Sequence, residues 1–110
     1  MHPLTSTDSF DAVLEKPLAI VYKHSTRCPI SVLAAEEVVR FEEEHPDVPV
    51  YVVDVTADRP VSRHIAAALG VTHHSPQVIV VAQGRPAWHA SHFDVRAEVI
   101  AERLGVLVGE

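Results

Sequence analysis

The sequence predicts one α/β domain over residues 1–110, with a four-stranded mixed sheet and helices on both of its faces. Short β-branched, apolar runs alternate with longer segments whose apolar residues recur every three or four positions, a pattern typical of strands joined by crossover helices. The last two strand-like runs flank a turn that contains glycine and proline, as in a hairpin. A length of 110 residues is that of one ordinary domain.

A short helix is expected over residues 6–16, followed by the first strand. Ser6 is a good N-cap residue, and apolar residues beginning with Phe10 follow at helical spacing. Pro17 ends the helix, because the residue before a proline avoids helical backbone angles. Residues 18–22 are an apolar run whose side chains suit a pleated sheet, which predicts a buried strand.

The second helix is predicted over residues 29–45, after a polar loop at residues 24–28. Pro29 is favoured in a first helical turn, and the apolar residues that follow it form one stripe. Pro46 ends this helix. The β-branched residues of 48–55 predict the second strand.

The second half of the chain begins with an amphipathic helix over residues 60–69, which stops at Gly70. The run 77–82 is predicted as the third strand, and the turn at 83–86 leads into a fourth strand at 87–91.

A last helix is expected from Asp94, as its cap, to about Leu104. The resulting order of elements is the minimal thioredoxin-like architecture, in which a right-handed crossover joins two parallel strands and a hairpin joins the later pair. The third strand then lies beside the first, and helices cover both faces of the sheet.

Composition and charge exclude several classes of function. The 15 acidic residues outnumber the 9 basic ones, and the net charge of −6 argues against a nucleic-acid binder. No basic, apolar leader is visible, and no apolar run approaches the ~20 residues that cross a bilayer. We therefore expect a cytoplasmic protein with no membrane or nucleic-acid partner, in which the single cysteine is a reduced thiol. A monomer is expected because most small thioredoxin-like domains keep the active-site face free.

The single cysteine, Cys28, follows the first strand and directly precedes Pro29, where the second helix starts. The N–H groups and the dipole at a helix N-terminus favour thiolate over thiol, and Arg27 and Lys23 add positive charge nearby. Because a thiolate attacks disulfide sulfur, this position predicts a nucleophile. Most lone cysteines are inert core residues, but this location favours the functional interpretation.

Cys28 and Ser31 form a C-x-x-S arrangement. Ser31 offers only hydrogen bonds, for example to the thiolate one turn away, and cannot attack a mixed disulfide as a second cysteine would. A mixed disulfide on Cys28 must therefore be resolved by an external thiol, which predicts a low-molecular-weight thiol as partner.

The segment before the third strand carries a second signal, since Pro76 lies where thioredoxin-like proteins place a cis-proline opposite the reactive cysteine. A cis bond exposes the backbone N–H and C=O of Ser75 to an extended substrate and brings Pro76 towards the reacting sulfurs. A trans proline that simply starts a strand is the alternative, and the match with Cys28 favours the cis form.

Two strings, Lys23-His-Ser-Thr-Arg-Cys-Pro-Ile-Ser31 and His74-Ser-Pro-Gln77, resemble the active site of the monothiol bacilliredoxins, which are thioredoxin-fold proteins of the bacillithiol system. The resemblance covers residues from about 9 to 104. It implies a thiol–disulfide oxidoreductase that removes bacillithiol from S-bacillithiolated client proteins, with bacillithiol as thiol co-substrate and no resident cofactor.

The resemblance also implies roles for individual residues. Cys28 would attack the mixed disulfide, and Pro29, Ser31 and Arg27 would support its thiolate. Bacillithiol is a glucosamine–malate conjugate of cysteine, so it carries carboxylates. The residues expected to bind bacillithiol or the client are Lys23, His24, Thr26, His74, Ser75 and Pro76.

Two other functions stay open. A domain of this fold could bind a peptide in the same groove without turnover, and that binding would survive Cys28→Ala. A redox sensor could instead carry bacillithiol on Cys28 as its signal and release it slowly. The residues alone leave bacillithiol, glutathione and coenzyme A as candidate thiols, and the resemblance selects bacillithiol.

The eight histidines predict no metal site, although two pairs deserve comparison. His73 and His74 are adjacent, and adjacent side chains of an extended chain point to opposite sides. His89 and His92 have no suitably spaced acidic or cysteine partner. A surface or half-buried role is favoured for all four.

Overall fold

The computed structural model describes residues 1–107. Its elements follow the order β1 (His2–Pro3), α1 (Thr7–Val13), β2 (Leu18–His24), α2 (Pro29–Glu44), β3 (Val50–Asp54), α3 (Arg59–Leu69), β4 (Gln77–Ala82), β5 (Arg85–Ser91), a short 3-10 helix (His92–Asp94) and α4 (Ala97–Leu107). Within these residues the strands form a five-stranded sheet in the order β1-β3-β2-β4-β5.

The sheet combines parallel and antiparallel pairs. β1, β3 and β2 run parallel to one another, β4 runs antiparallel to β2, and β5 runs antiparallel to β4. α2 is the crossover between β2 and β3, and a two-residue turn at Gln83 and Gly84 joins β4 to β5. The predicted mixed sheet, with the strand at 77–82 beside the strand at 18–22, is confirmed.

The prediction of four strands was wrong, because β1 is a fifth. At the sheet edge His2 pairs with Tyr51 and Pro3 pairs with Val52. The next residue, Leu4, has a buried side chain, and its backbone N–H donates a hydrogen bond of 2.8 Å to the Val52 carbonyl. Both contacts hold β1 against β3. Two residues, one of them a proline, carry no periodicity from which a strand can be predicted.

Helices cover both faces of the sheet, as predicted. α1 and α3 pack on one face over a core that includes Phe10 and Ile65, and α2 and α4 pack on the other over a core that includes Phe41 and Ile100. Full burial of a side chain of this size contributes about 1.5–3 kcal/mol. The two apolar cores therefore hold the sheet between two helical layers.

β2 continues to His24, two residues beyond its predicted end at residue 22. Lys23 pairs with Val53 of β3 and with Gln77 of β4, so it lies in the centre of the sheet. The expected polar loop at 24–28 is correspondingly shorter, because the first of its residues is already held by the strand ladder.

The last helix begins later than predicted. Asp94 lies in the 3-10 helix and does not cap α4, because Val95 takes extended backbone angles and α4 starts at Ala97. α1 also ends early, at Val13. No helix among residues 1–107 is long and apolar enough to cross a membrane.

Candidate active site

Cys28 is the N-cap residue of α2. Its backbone is extended, with φ −108° and ψ 117°, and Pro29 occupies the first helical turn. Its carbonyl accepts a hydrogen bond of 3.0 Å from the N–H of Ser31, and its side chain is a partly exposed free thiol. The thiol therefore lies at the N-terminus of a long helix, where amide groups and the helix dipole favour negative charge.

Ser31 lies beneath this turn and is fully buried. Its hydroxyl oxygen accepts a hydrogen bond of 3.2 Å from the N–H of Ser25, and the hydroxyl oxygen of Ser25 accepts one of 3.3 Å from the N–H of Arg27. These bonds fix the loop that carries Cys28. In residues 1–107 the Ser31 hydroxyl makes no hydrogen bond to Cys28, so the structure does not show the predicted contact with the thiolate.

Tyr22 contacts the same turn from β2. Its buried hydroxyl donates a hydrogen bond of 3.1 Å to the Ser31 carbonyl and lies 3.0 Å from Nδ1 of His24. Because the hydroxyl has one proton, this geometry requires His24 to donate from Nδ1. Burial raises the pKa of Tyr22 to about 12, and the negative charge of Cys28 contributes in the same direction. The phenol therefore stays protonated beneath the thiol.

Lys23 points to the other face of β2 and is fully buried. Its Nζ lies 3.0 Å from Nδ1 of His73 and 3.4 Å from the carbonyl oxygen of Ser62. Burial lowers the pKa of Lys23 to about 8. The pKa of His73 is also lowered, by partial burial and then by the charges of Lys23 and His74.

The burial of Lys23 corrects one expectation. We expected its ammonium group to meet the carboxylates of a ligand, but the group faces the protein interior. The Nζ atom contacts His73 and the Ser62 carbonyl rather than solvent. Any effect of Lys23 on a ligand is consequently indirect.

The peptide bond between Ser75 and Pro76 is cis, as predicted. Pro76 is buried, Ser75 is half-buried, and the Pro76 carbonyl accepts a hydrogen bond of 2.9 Å from the N–H of His92. The next residue, Gln77, starts β4 and pairs with Lys23 of β2. The cis-proline loop therefore lies beside the end of β2 that leads to Cys28.

The remaining predicted residues lie on these two loops or on the end of β2. Thr26 and Arg27 are exposed on the Cys28 loop, and His24 is half-buried at the end of β2. His74 is exposed on the cis-proline loop, with its ring centroid 5.9 Å from that of His92. The structure thus brings the predicted residues, apart from the buried Lys23, to one end of the central strands β2 and β4. Their binding roles stay predictions.

The structure also adds residues that sequence reasoning missed. Tyr22 and Ser25 support the Cys28 loop, and Ser62 and His73 contact the buried lysine. Tyr22 is the one polar side chain of its apolar run, which was the available signal. No group of three or more His, Cys, Asp or Glu side chains within residues 1–107 could hold a metal ion.

Comparison with known proteins agrees with this geometry. The family model described as "Monothiol bacilliredoxin BrxC" matches residues 2–100. A solved structure described as "A putative oxidoreductase with a thioredoxin fold" is 33% identical, with a TM-score of 0.87 over 94% of this chain and 92% of that one.

Two thioredoxins are more distant in sequence. The thioredoxin of Trypanosoma brucei brucei is 15% identical, with a TM-score of 0.79 over 98% of this chain and 90% of that one. The thioredoxin of Fasciola hepatica is 19% identical, with a TM-score of 0.75 over 96% of this chain and 98% of that one. These likenesses confirm the thioredoxin fold.

The family match includes Cys28, Ser31 and the Ser75–Pro76 bond, which lie together at one end of the central strands β2 and β4. It also spans nearly all of the described residues. The chain therefore belongs to the monothiol bacilliredoxin family.

Proposed function

We propose that this protein is a monothiol oxidoreductase that removes bacillithiol from the cysteines of client proteins. Its family and its likeness to an oxidoreductase support a thiol redox role. The observation that carries the finer proposal is the placement of one thiol, Cys28, at the N-terminus of α2, with the buried Ser31 where a dithiol motif has its second cysteine.

The first step is a thiol–disulfide exchange. The Cys28 thiolate attacks the bacillithiol sulfur of the mixed disulfide on the client. A bond forms between Cys28 and bacillithiol, the client–bacillithiol bond breaks, and the client sulfur leaves as a thiolate that takes a proton from water. The client is thereby reduced, and Cys28 holds bacillithiol in a mixed disulfide.

The second step needs a thiol from solution, because Ser31 cannot act as a nucleophile towards the mixed disulfide. The thiolate of a free bacillithiol attacks the bacillithiol sulfur on Cys28. Bacillithiol disulfide leaves, and the Cys28 thiolate is regenerated. In total, one client disulfide and one bacillithiol yield one client thiol and one bacillithiol disulfide, so the electrons balance.

The surrounding residues orient these exchanges. The helix N-terminus stabilises Cys28 as attacking group in the first step and as leaving group in the second. The backbone of Ser75, beside Pro76, pairs with the chain that carries the disulfide. The reaction consumes a reduced thiol pool, and we therefore place it in the cytoplasm.

A client protein carrying bacillithiol on one cysteine tests the proposal. The release of its free thiol is followed with and without catalyst, in the presence of free bacillithiol. We expect wild type to accelerate release, and Cys28→Ala and Cys28→Ser to give the uncatalysed rate while keeping the wild-type circular dichroism spectrum. Wild-type activity in either variant overturns the proposal, as does client binding by both variants with no turnover by wild type.

A further inference from the structure

A polar pocket of about 320 Å³ lies beside the active site. It is bounded by the Cys28 loop, by the segment that leads from β3 into α3, and by the loop that precedes Pro76. Its polar and charged lining residues are Arg27, Thr56, Arg59, Ser62, Arg63 and His73. Neither the proposed reaction nor the family resemblance uses Arg59 or Arg63.

The charge of this pocket is opposite to that of the protein as a whole. The chain carries a net charge of −6, yet no acidic residue lines the pocket. None of its three arginines forms a salt bridge within residues 1–107. The nearby carboxylate of Asp54 instead accepts the backbone N–H groups of Thr56 and Ala57, at 2.9 and 3.0 Å. The guanidinium groups are consequently available to an anion.

Lys23 adds a positive charge beneath the pocket. Its Nζ contacts His73 and Ser62, and both of these residues line the pocket wall. No carboxylate pairs with this buried ammonium group within residues 1–107. Burial of an unpaired charge is unfavourable, so an anion in the pocket would be stabilised by Lys23 as well as by the arginines.

The position of the pocket identifies the molecule that would carry the anion. Arg27 is the residue before Cys28, and His73 lies three residues before Pro76. The pocket therefore shares residues with the two loops that carry Cys28 and Pro76. A small thiol whose anionic end lies in this pocket would have to span from there to the Cys28 sulfur.

We propose that this pocket binds a dicarboxylate, the malate group of the small thiol whose sulfur reacts at Cys28. The inference rests on the proposed function and assigns a subsite to the bacillithiol group that is transferred from the client to Cys28. Guanidinium groups bind carboxylates through two parallel N–H···O bonds, and two carboxylates match Arg59 and Arg63, which lie one helical turn apart on α3. Arg27 then faces the dicarboxylate from the Cys28 loop.

The test compares bacillithiol with an analogue that joins cysteine to glucosamine without malate. Each is attached to the same client cysteine, and the mixed disulfide is the substrate for wild type, for an Arg59→Ala/Arg63→Ala double variant and for an Arg85→Ala/Arg103→Ala control. We expect wild type to have a KM for the bacillithiolated client about tenfold below that for the analogue-modified client, with similar kcat values. The double variant should lose this preference, and the control, which removes the same charge elsewhere, should keep it.

Two further arms separate the alternatives. Arg59→Lys/Arg63→Lys should restore part of the preference, since lysine keeps the charge but not the bidentate geometry. Coenzyme A, whose anionic groups are phosphates, serves as a third thiol. A double variant that loses reactivity with coenzyme A but keeps its preference for bacillithiol overturns the dicarboxylate assignment.

The failure of this inference is distinguishable from that of the proposed function. If wild type does not turn over with bacillithiol, the proposed function fails. If turnover is normal and the double variant keeps the wild-type preference, or raises KM equally for both thiols, only the pocket assignment is overturned.

Discussion

The Tyr22 hydroxyl donates a hydrogen bond of 3.1 Å to the backbone carbonyl of Ser31, and this bond joins the central strand β2 to the first turn of the helix that follows Cys28. Both residues are fully buried. The contact fixes the position of the helix N-terminus, and therefore of the Cys28 thiol, relative to the sheet.

Removal of this hydroxyl should destabilise the fold. Tyr22→Phe is expected to lower the free energy of unfolding by about 1–2 kcal/mol, because it removes the hydrogen bond to the Ser31 carbonyl and the one from His24. Tyr51→Phe is the matched control, because the Tyr51 side chain is half-buried and its hydroxyl makes no hydrogen bond within residues 1–107. Urea denaturation measures both variants. Equal losses would show that the Tyr22–Ser31 bond does not contribute.

The buried Lys23 should make stability depend on pH. Its pKa is about 8 in the folded protein and 10.5 in the unfolded chain, so the folded state releases its proton first. Stability should therefore rise with pH above about 8, by up to about 2 kcal/mol at pH 9.5. The raised pKa of Tyr22 reverses the trend only above pH 10.

Lys23→Met provides the comparison, because it keeps a long side chain without the charge. Its free energy of unfolding between pH 7 and about 9.5 should lack the rise of about 2 kcal/mol that Lys23 gives wild type, because the lysine no longer titrates. Chemical denaturation at a series of pH values measures both proteins. A wild-type profile that runs parallel to that of the variant contradicts the assigned titration of Lys23.

A second thiol should change the way in which the mixed disulfide is resolved. In Ser31→Cys the new thiol lies one helical turn from Cys28, as in dithiol motifs. We expect it to displace bacillithiol from Cys28 and to form an internal disulfide without added thiol, as measured by intact mass. Ser31→Ala is the control and should keep bacillithiol on Cys28. Retention of bacillithiol in both variants would contradict the role given to position 31.

Two glycines with positive φ should differ in their tolerance of a side chain. Gly70 has φ +66° and open space where a Cβ would lie, whereas Gly84 has φ +74° and a Cβ there would meet the Leu14 carbonyl oxygen at 3.0 Å. Both Gly→Ala variants incur backbone strain of about 1 kcal/mol, and Gly84→Ala adds the close contact. Thermal unfolding should rank Gly84→Ala as the less stable, and the reverse order would contradict this packing.

Much of the fold could be predicted because local signals and packing agree. Ser6 caps α1 through a capping box, Pro29 begins α2, and Gly70 ends α3 in the left-handed conformation. Each of these boundaries is therefore set by the residue type found there. Asp94 carried a capping signal of the same kind, but the chain turns through a 3-10 helix there and the helix starts at Ala97. The Glu37 carboxylate of α2 accepts the N–H of Ala97 at 3.1 Å, so a tertiary contact marks the start of α4.

The candidate site could be predicted in part. Cys28 and the cis bond before Pro76 follow from position in the chain, since both lie at junctions between elements. The burial of Lys23 depends on β4 lying beside β2, which places its charge in the sheet interior. Arg59 and Arg63 line the same pocket as Arg27, although they are more than 30 residues away from it in the sequence. No spacing in the sequence therefore identifies this pocket.

The central claim is that Cys28 takes bacillithiol from a client and needs a second thiol to release it. The most direct measurement mixes equal amounts of protein and bacillithiolated client without free thiol, quenches the mixture with acid, and determines both intact masses. The account predicts bacillithiol on Cys28 and a free thiol on the client. Bacillithiol retained on the client, or the client itself linked to Cys28, would contradict it.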